Sequence, residues 1–215
     1  MYEFTRGLLV WIAFGVLIIG SIIRIISIIS QTKKDKVVLP YLSMKFGVRS
    51  IFHWIIPYGS VNMRKRPTFT LMSFLFHICL ILVPIFTLGH VMSWEESYGF
   101  NFWHLPPALS LLMTLIVIIT GIMYIARRIG DPTVRYVSSW KEYLLMALVL
   151  VPFVTGLLAR FQVFDYRTII IIHIWSGAIW LMVIPFTWLS HMLFFPFTRA
   201  YMGSEFGYVR SSRDW

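Results

Sequence analysis

Long runs of apolar residues alternate with short polar segments along the chain. A helix that spans a bilayer needs about 20 mainly apolar residues, and five runs come near or above that length. The first run is too long and uniform for a cleaved signal peptide, and no small-residue cleavage site follows it. The pattern predicts an all-α integral membrane bundle of five transmembrane helices that forms one domain. The predicted spans are about residues 8–29, 69–92, 105–126, 143–158 and 168–195.

The polar segments between the predicted spans alternate in charge. Residues 31–68 carry eight Lys and Arg against one Asp, and residues 127–142 carry four Lys and Arg. Residues 93–104 carry two Glu and neither Lys nor Arg. Lys and Arg are retained on the cytoplasmic side of a membrane. We therefore expect the N-terminus outside and the C-terminus inside, in the inner (cytoplasmic) membrane.

The first inner loop has a pattern of its own. Residues 41–58 interleave apolar and aromatic side chains with Lys45, Arg49 and His53. Such a mixture is typical of a helix that lies in the plane of the membrane interface. Pro57 and Gly59 are expected to end it.

Composition supports the membrane assignment and excludes several function classes. Apolar residues make up 58% of the 215 residues and charged residues 13%, against roughly 45–50% and about 25% in soluble domains. The net charge is +10, but the cations lie between apolar runs and so indicate topology, not nucleic-acid binding. Cys79 is the sole cysteine, which excludes a disulfide scaffold and a Cys-based metal site. We find no phosphate-binding loop and no catalytic triad or carboxylate pair.

Four of the six histidines fall inside predicted spans, two on the second helix and two on the fifth. Ionisable residues within a span are costly and tend to mark function. The two helices are antiparallel, so the histidines match in depth, with His77 beside His191 on the inner side and His90 beside His173 on the outer side. Two bis-histidine haems between facing helices require such an arrangement. The alternative is that each histidine only satisfies a polar neighbour in the core.

Helical phase fits the two histidines of the fifth helix better than the two histidines of the second helix. His173 and His191 are 18 residues apart, which is five turns, so they share a face of one helix roughly 27 Å apart. His77 and His90 differ by about 220° and about 20 Å. Pro84 lies between them and could kink or rephase the helix. Alternatively, the two haems lie on different sides of that helix.

The residues around these histidines resemble a known family. The segments HIWSG at 173–177 and PFTWLSH at 185–191, with Phe76-His77 and Gly89-His90, resemble the gamma subunit of respiratory nitrate reductase. That family is a five-helix dihaem cytochrome b with its N-terminus outside. The resemblance implies two haem b groups, with His77 and His191 binding the inner iron and His90 and His173 the outer one. In the family, the histidines of the second helix are about one turn closer together.

The long basic first loop and the short tail look more like the small cytochrome b subunits of transmembrane redox complexes of anaerobes, such as sulfate reducers. This likeness implies a cytoplasmic iron–sulfur partner related to heterodisulfide reductase. It also implies a periplasmic multihaem cytochrome c as a further partner, and menaquinone as the substrate. The loop of residues 33–66 and the tail from Phe197 to Trp215 are the segments expected to bind the partner.

Several further residues are candidates for the same site. Gly89 and Gly177 could let a porphyrin approach the backbone, or they could serve plain helix packing. Glu95, Glu96 and His104 lie in the outer loop and could accept the protons that a quinol releases, or they could form an ordinary solvated loop. The leading hypothesis is an electron-transfer subunit of a quinone-linked oxidoreductase. The alternative is a haem-free membrane anchor or a small ion or proton transporter subunit.

Overall fold

The computed structural model describes residues 2–34 and 42–212, with the side chains of residues 4–31 and 42–212. Within these ranges the chain is helical and contains no strand. The α-helices are α1 (Tyr2–Arg6), α2 (Leu8–Lys34), α3 (Met44–Ile55), α4 (Val61–Lys65), α5 (Pro67–Phe86), α6 (Leu88–Tyr98), α7 (Pro107–Gly130), α8 (Pro132–Tyr136), α9 (Trp140–Arg160), α10 (Tyr166–Val183) and α11 (His191–Met202). A π-helical segment, Gly203–Val209, follows α11.

Five helical segments of the described chain are long and apolar enough to cross a membrane, which confirms the predicted fold class. The protein is therefore a multi-pass membrane protein. Its orientation and the choice of membrane stay predictions. The segments are Phe4–Gln31, Pro67–Tyr98, Pro107–Gly130, Trp140–Arg160 and Tyr166–Phe186.

The helix ends depend on capping as well as on hydrophobicity. The fourth span begins at Trp140, about a turn before the predicted start, because Ser139 and Glu142 form a capping box. The Ser139 hydroxyl accepts the Lys141 amide, and the Glu142 carboxylate accepts the Ser139 amide at 2.7 Å. These contacts satisfy amide groups that the first turn of a helix leaves without partners.

The second span is interrupted at Thr87, between α5 and α6. Pro84 lies inside α5 near its end, and Thr87 has extended backbone angles (φ −65°, ψ 134°). A proline inside a helix removes one backbone bond and crowds the preceding turn. The sequence allowed for a rephased helix at this proline, and the chain is indeed broken three residues beyond it.

The predicted continuous fifth helix over residues 168–195 is wrong. Helix α10 ends at Val183, and two short 3-10 turns, Ile184–Phe186 and Trp188–Ser190, precede α11. Pro185 has no amide hydrogen to continue the helical bonding, and Thr187 is extended. The proposed common face of His173 and His191 assumed one unbroken helix, so that phase argument no longer applies.

The described chain forms two compact units, residues 3–70 with 178–212, and Leu71–Gly177. In the second unit, α7 packs on α9, and Leu150 fills the space beside Gly121. In the first unit, α3 packs on α11 and on the π-helical segment, while α2 contacts the turn at Pro185. The single membrane domain expected from the sequence stays a prediction.

The amphipathic helix expected in the first loop is confirmed as α3, although Tyr41 lies outside the described residues. Its buried face carries the small residues Gly47 and Ser50, whereas Met44 and Phe52 are exposed. The Ser43 amide, at the start of α3, donates to the Ser204 hydroxyl at 2.9 Å. The loop and the tail, both expected to bind a partner, therefore pack against each other. We call this packed pair, α3 with residues 191–209, the loop–tail clasp.

A side chain added at Gly203 should weaken the packing within the loop–tail clasp. A Cβ there would lie 2.5 Å from the Phe46 carbonyl oxygen and 2.6 Å from Ser50 Cβ. Gly203→Ala is therefore expected to destabilise the protein by about 1–3 kcal/mol, the usual range for overpacking. It should also speed trypsin cleavage of the tail. The control is Gly15→Ala, since a Cβ there meets nothing within 4 Å. Equal melting temperatures and cleavage rates for the two variants would contradict the packing described.

Candidate functional site

Two of the predicted ligand histidines meet within the unit formed by Leu71–Gly177. His90 Nε2 lies 3.5 Å from His173 Nε2. The ring centroids are 5.8 Å apart, which exceeds the nitrogen separation by 2.3 Å. That excess equals about two imidazole radii, one for each ring. The two ring centres and the two Nε2 atoms therefore lie close to one straight line. The ring planes differ by 24°, and the rings meet edge to edge with their Nε2 atoms facing.

The hydrogen bonds of the other ring nitrogens fix the tautomer of both rings. His90 Nδ1 lies 2.6 Å from the Pro84 carbonyl oxygen, and His173 Nδ1 lies 3.0 Å from the Pro152 carbonyl oxygen. A carbonyl only accepts, so Nδ1 carries the proton in each ring. In the neutral rings, both Nε2 atoms are then lone-pair donors that point at each other. Such a pair is repulsive by itself and becomes favourable when a cation lies between the two nitrogens.

The break in the second span places His90. Helix α6 starts after Thr87, and the amides of His90 and Val91 both donate to the Thr87 carbonyl oxygen. The His90 ring then reaches back across the break to Pro84. Without this rephasing, a continuous helix would turn His90 about 220° away from His77. The break and the bond to Pro84 together set where the His90 ring lies, facing His173.

Residues of helix α9 contact the His173 ring through its Nδ1 and Cε1 atoms. Besides the Pro152 carbonyl, the Thr155 hydroxyl lies 3.2 Å from His173 Nδ1, and the Ser176 hydroxyl lies 3.3 Å from that of Thr155. A Cβ at Gly156 would lie 3.1 Å from His173 Cε1, so the ring packs directly on the glycine backbone. The sequence pattern did not indicate these roles of Thr155, Pro152 and Gly156. The spacing within one helix carries no signal for a contact between α9 and α10.

Helix α10 begins with a side-chain cap before it reaches the membrane. The Asp165 carboxylate accepts the Thr168 hydroxyl at 2.7 Å and the Thr168 amide at 2.8 Å. These bonds, the hydroxyl first, lower the pKa of Asp165. A carboxyl whose pKa is lowered by folding stabilises the fold above its ordinary pKa, and the effect is lost as the pH falls through the lowered value. The cap that starts α10 is therefore in place at neutral pH.

The other two predicted ligand histidines, His77 and His191, have the same tautomer but lie in different units, and His191 was wrongly placed inside the fifth span, which ends at Phe186. His77 Nδ1 donates to the Ser73 carbonyl oxygen at 2.7 Å, and His191 Nδ1 donates to the Trp188 carbonyl oxygen at 2.9 Å. His77 belongs to Leu71–Gly177, whereas His191 belongs to the unit that contains the loop–tail clasp. Their pairing stays a prediction.

The candidate glycines border open space, and the candidate outer-loop residues lie on α6 or shortly after it. A Cβ on either Gly89 or Gly177 would meet no atom within 4 Å. Glu95 and Glu96 lie on α6, which Gly99 ends in a left-handed conformation (φ 71°). Asn101 Nδ2 donates to Glu95 at 3.0 Å, and His104 Nδ1 donates to the Leu105 carbonyl oxygen at 3.2 Å.

Among the described residues, no group of three or more His, Cys, Asp or Glu side chains converges as a metal site. The facing histidines offer two ligand atoms, so a metal bound between them would take its other ligands from a bound group.

The chain matches a protein of Nitratidesulfovibrio vulgaris (strain Hildenborough) whose name states no activity. The two are 36% identical over 215 residues, which cover 98% of this chain and 95% of the relative. The match thus runs nearly from end to end in both proteins. No family model matches the chain. No solved structure matches it either.

Gly156 should be needed for the position of the His173 ring. In Gly156→Val, the added side chain must displace the ring from the Pro152 carbonyl. We expect a loss of stability of about 1–3 kcal/mol, measured by thermal unfolding in detergent. The control is Gly130→Ala in α7, where a Cβ meets nothing within 4 Å. An unchanged melting temperature for Gly156→Val would contradict the packing of His173 on α9.

Proposed function

We propose that this chain, which belongs to the same family as the Nitratidesulfovibrio vulgaris protein, is a dihaem cytochrome b membrane subunit. In this role it passes electrons between menaquinone or menaquinol and a docked iron–sulfur or cytochrome c partner. The observation that carries the proposal is the pair of Nε2 lone pairs, from His90 and His173, that face each other at 3.5 Å in a membrane-spanning unit.

The donor set of this pair fits a haem iron. Haem iron takes axial imidazole nitrogens, and the porphyrin supplies the other four ligands, so two protein ligands suffice. His90 and His173 would hold that iron through their facing Nε2 atoms, which lie 3.5 Å apart in this structure. The bound haem would supply an iron that changes oxidation state by one electron.

The chain's own groups would tune and orient these ligands. The Nδ1–H bonds to Pro84 and Pro152 hold each ring in the tautomer that leaves Nε2 bare. A hydrogen bond from the second ring nitrogen also raises the basicity of the ligating one. Both ligands are neutral, so they add no charge to a low-dielectric site, where an uncompensated charge is costly.

The second, inner haem is proposed for His77 and His191. The support comes from their predicted depth and from their hydrogen bonds. Each ring donates Nδ1–H to a carbonyl oxygen a turn before it in the sequence, at Ser73 and Trp188, and so presents Nε2 as the lone-pair atom. All four proposed ligands therefore share one tautomer.

Quinol oxidation near the outer pair would need a proton acceptor. Glu95 lies five residues beyond His90 on α6, which is about 7.5 Å along the helix axis. Glu95 and Glu96 are exposed, as is His104. These residues are the proposed acceptors of the two protons.

A Cβ on Gly89 or Gly177 would meet no atom within 4 Å. This open space supports the proposal that a cofactor approaches the backbone at these two glycines.

The partner would bind at the loop–tail clasp. Lys45 and Arg49 are exposed on α3, and α3 packs on the tail, so the two segments would present one basic surface. The proposed occupant is a cytoplasmic iron–sulfur subunit of the heterodisulfide reductase type. A periplasmic multihaem cytochrome c is the proposed second partner on the other side. Lys36 and residues 213–215, also assigned to this surface, lie outside the described residues.

Purified protein is expected to contain two haem b groups per chain, measured by pyridine haemochromogen against protein content. His90→Ala and His173→Ala should each lower the ratio from two to one, because one axial ligand of the outer iron is lost. His191→Ala should also leave one haem, with a different midpoint potential, since the environments of the two irons differ. His53→Ala, outside the spans, is the matched control and should keep both.

A reduced-minus-oxidised spectrum without any haem band would overturn the proposal and favour the haem-free anchor or transporter. Two haems that persist in both His90→Ala and His173→Ala would instead reject this pair as ligands.

A further inference from the structure

The break between α5 and α6 leaves backbone groups that a continuous helix would pair. Inside a bilayer no water is present to satisfy them, so they need partners from the protein. The Phe86 carbonyl oxygen accepts the Leu105 amide at 2.8 Å, and the Pro84 carbonyl oxygen accepts His90 Nδ1–H. The break is therefore bonded at two points, once to the segment before α7 and once to the proposed ligand itself.

Thr87 makes a third connection, and an unusual one. It is the N-cap residue of α6, a position where a threonine hydroxyl usually accepts an amide of the first turn. Its hydroxyl does not cap the helix. It lies instead 2.8 Å from the hydroxyl of Ser110 in α7. The side chain thus joins the break to a neighbouring helix.

The α7 side of this contact is firmly packed. Ser110 is 4% exposed, and Leu105, whose amide bonds to Phe86, is 3% exposed. The Ser110 amide is itself bonded to the Pro106 carbonyl, where α7 starts. The start of α7 therefore provides a fixed reference for the break. The Thr87 carbonyl in turn accepts the amides of His90 and Val91 at 2.9 and 3.1 Å, so the position of Thr87 sets the first turn of α6.

We infer that the Thr87–Ser110 hydroxyl pair is the positioning device for the outer haem ligand: it fixes the helix break to α7 and so holds His90 Nε2 opposite His173. This inference rests on the proposed function, in which His90 binds iron. Thr87 and Ser110 act through His90, and neither is proposed to touch the haem.

The test compares hydroxyl variants in the purified, haem-loaded protein. Thr87→Val removes the hydroxyl with little change of shape, Ser110→Ala removes its partner, and Thr87→Ser restores the hydroxyl. The matched control is Thr120→Val, because the Thr120 hydroxyl bonds only to carbonyls of its own helix, those of Ile116 and Val117. Each variant is reduced and titrated with carbon monoxide, which binds a ferrous haem that has lost an axial ligand.

Loss of one buried hydrogen bond changes an equilibrium constant by roughly tenfold. We therefore expect the five-coordinate share of one haem to rise roughly tenfold in Thr87→Val and Ser110→Ala. The other haem should keep its potential, and Thr87→Ser should return to the parent value, as should Thr120→Val. A purely structural role would lower the melting temperature and leave carbon monoxide binding at the parent level. That result would overturn the inference.

A second measurement does not depend on haem. In a Cys79→Ser background, His90→Cys with His173→Cys gives the chain two cysteines, and a short bismaleimide reports their proximity in membranes. Cross-linking should slow several-fold when Thr87→Val is added and stay unchanged with Thr120→Val. Equal rates in both would reject the positioning role. A parent protein without haem would overturn the proposed function alone, because this cross-linking still tests the inference.

Discussion

Inside a bilayer every backbone amide and carbonyl must find its partner within the protein, and the break in the second span of this chain meets that constraint. At Thr87 the second span stops and restarts, and the carbonyls released there are taken by Leu105 and by the His90 ring. The histidine is thus a structural partner of the break as well as a ligand candidate. One hydrogen bond therefore both satisfies the backbone at the break and orients the His90 ring.

Hydrophobicity predicted the five spans because transfer into lipid sums over about 20 residues, so local irregularities are averaged out. The same averaging hid the interruption of the fifth span. Pro185 and the extended Thr187 end α10 early, so the expected continuous helix to residue 195 does not exist. Helix ends also escaped the hydropathy pattern, since the start of α9 depends on the capping box of Ser139 and Glu142.

The meeting of the outer histidine pair was predictable from residue type and depth, but the backbone path that allows it was not. Four histidines in the predicted spans indicated ligand atoms where helices meet, and His90 and His173 are found together. The helical phase of His77 and His90 gave no account of that meeting, because the helix is broken between them, after Pro84. Thr155 and Gly156 were missed for another reason: they act on His173 from a different helix, and a single sequence does not record which faces of two helices touch.

The placement of charge follows from the same low dielectric that demands internal hydrogen bonding. Within unit Leu71–Gly177, two imidazoles meet whose Nδ1–H groups donate to backbone carbonyl oxygens, and a low-dielectric surrounding favours their neutral form. The carboxylates of Glu95 and Glu96 lie further along α6 on its exposed last turns, next to the loop that follows Gly99. Neutral donors can remain in lipid without an ion partner, whereas groups that exchange protons need access to water. The proposed role in electron transfer would need both kinds of group close together, and one broken helix carries them: His90 in the first turn after the break, and the two acids about 7.5 and 9 Å further along it.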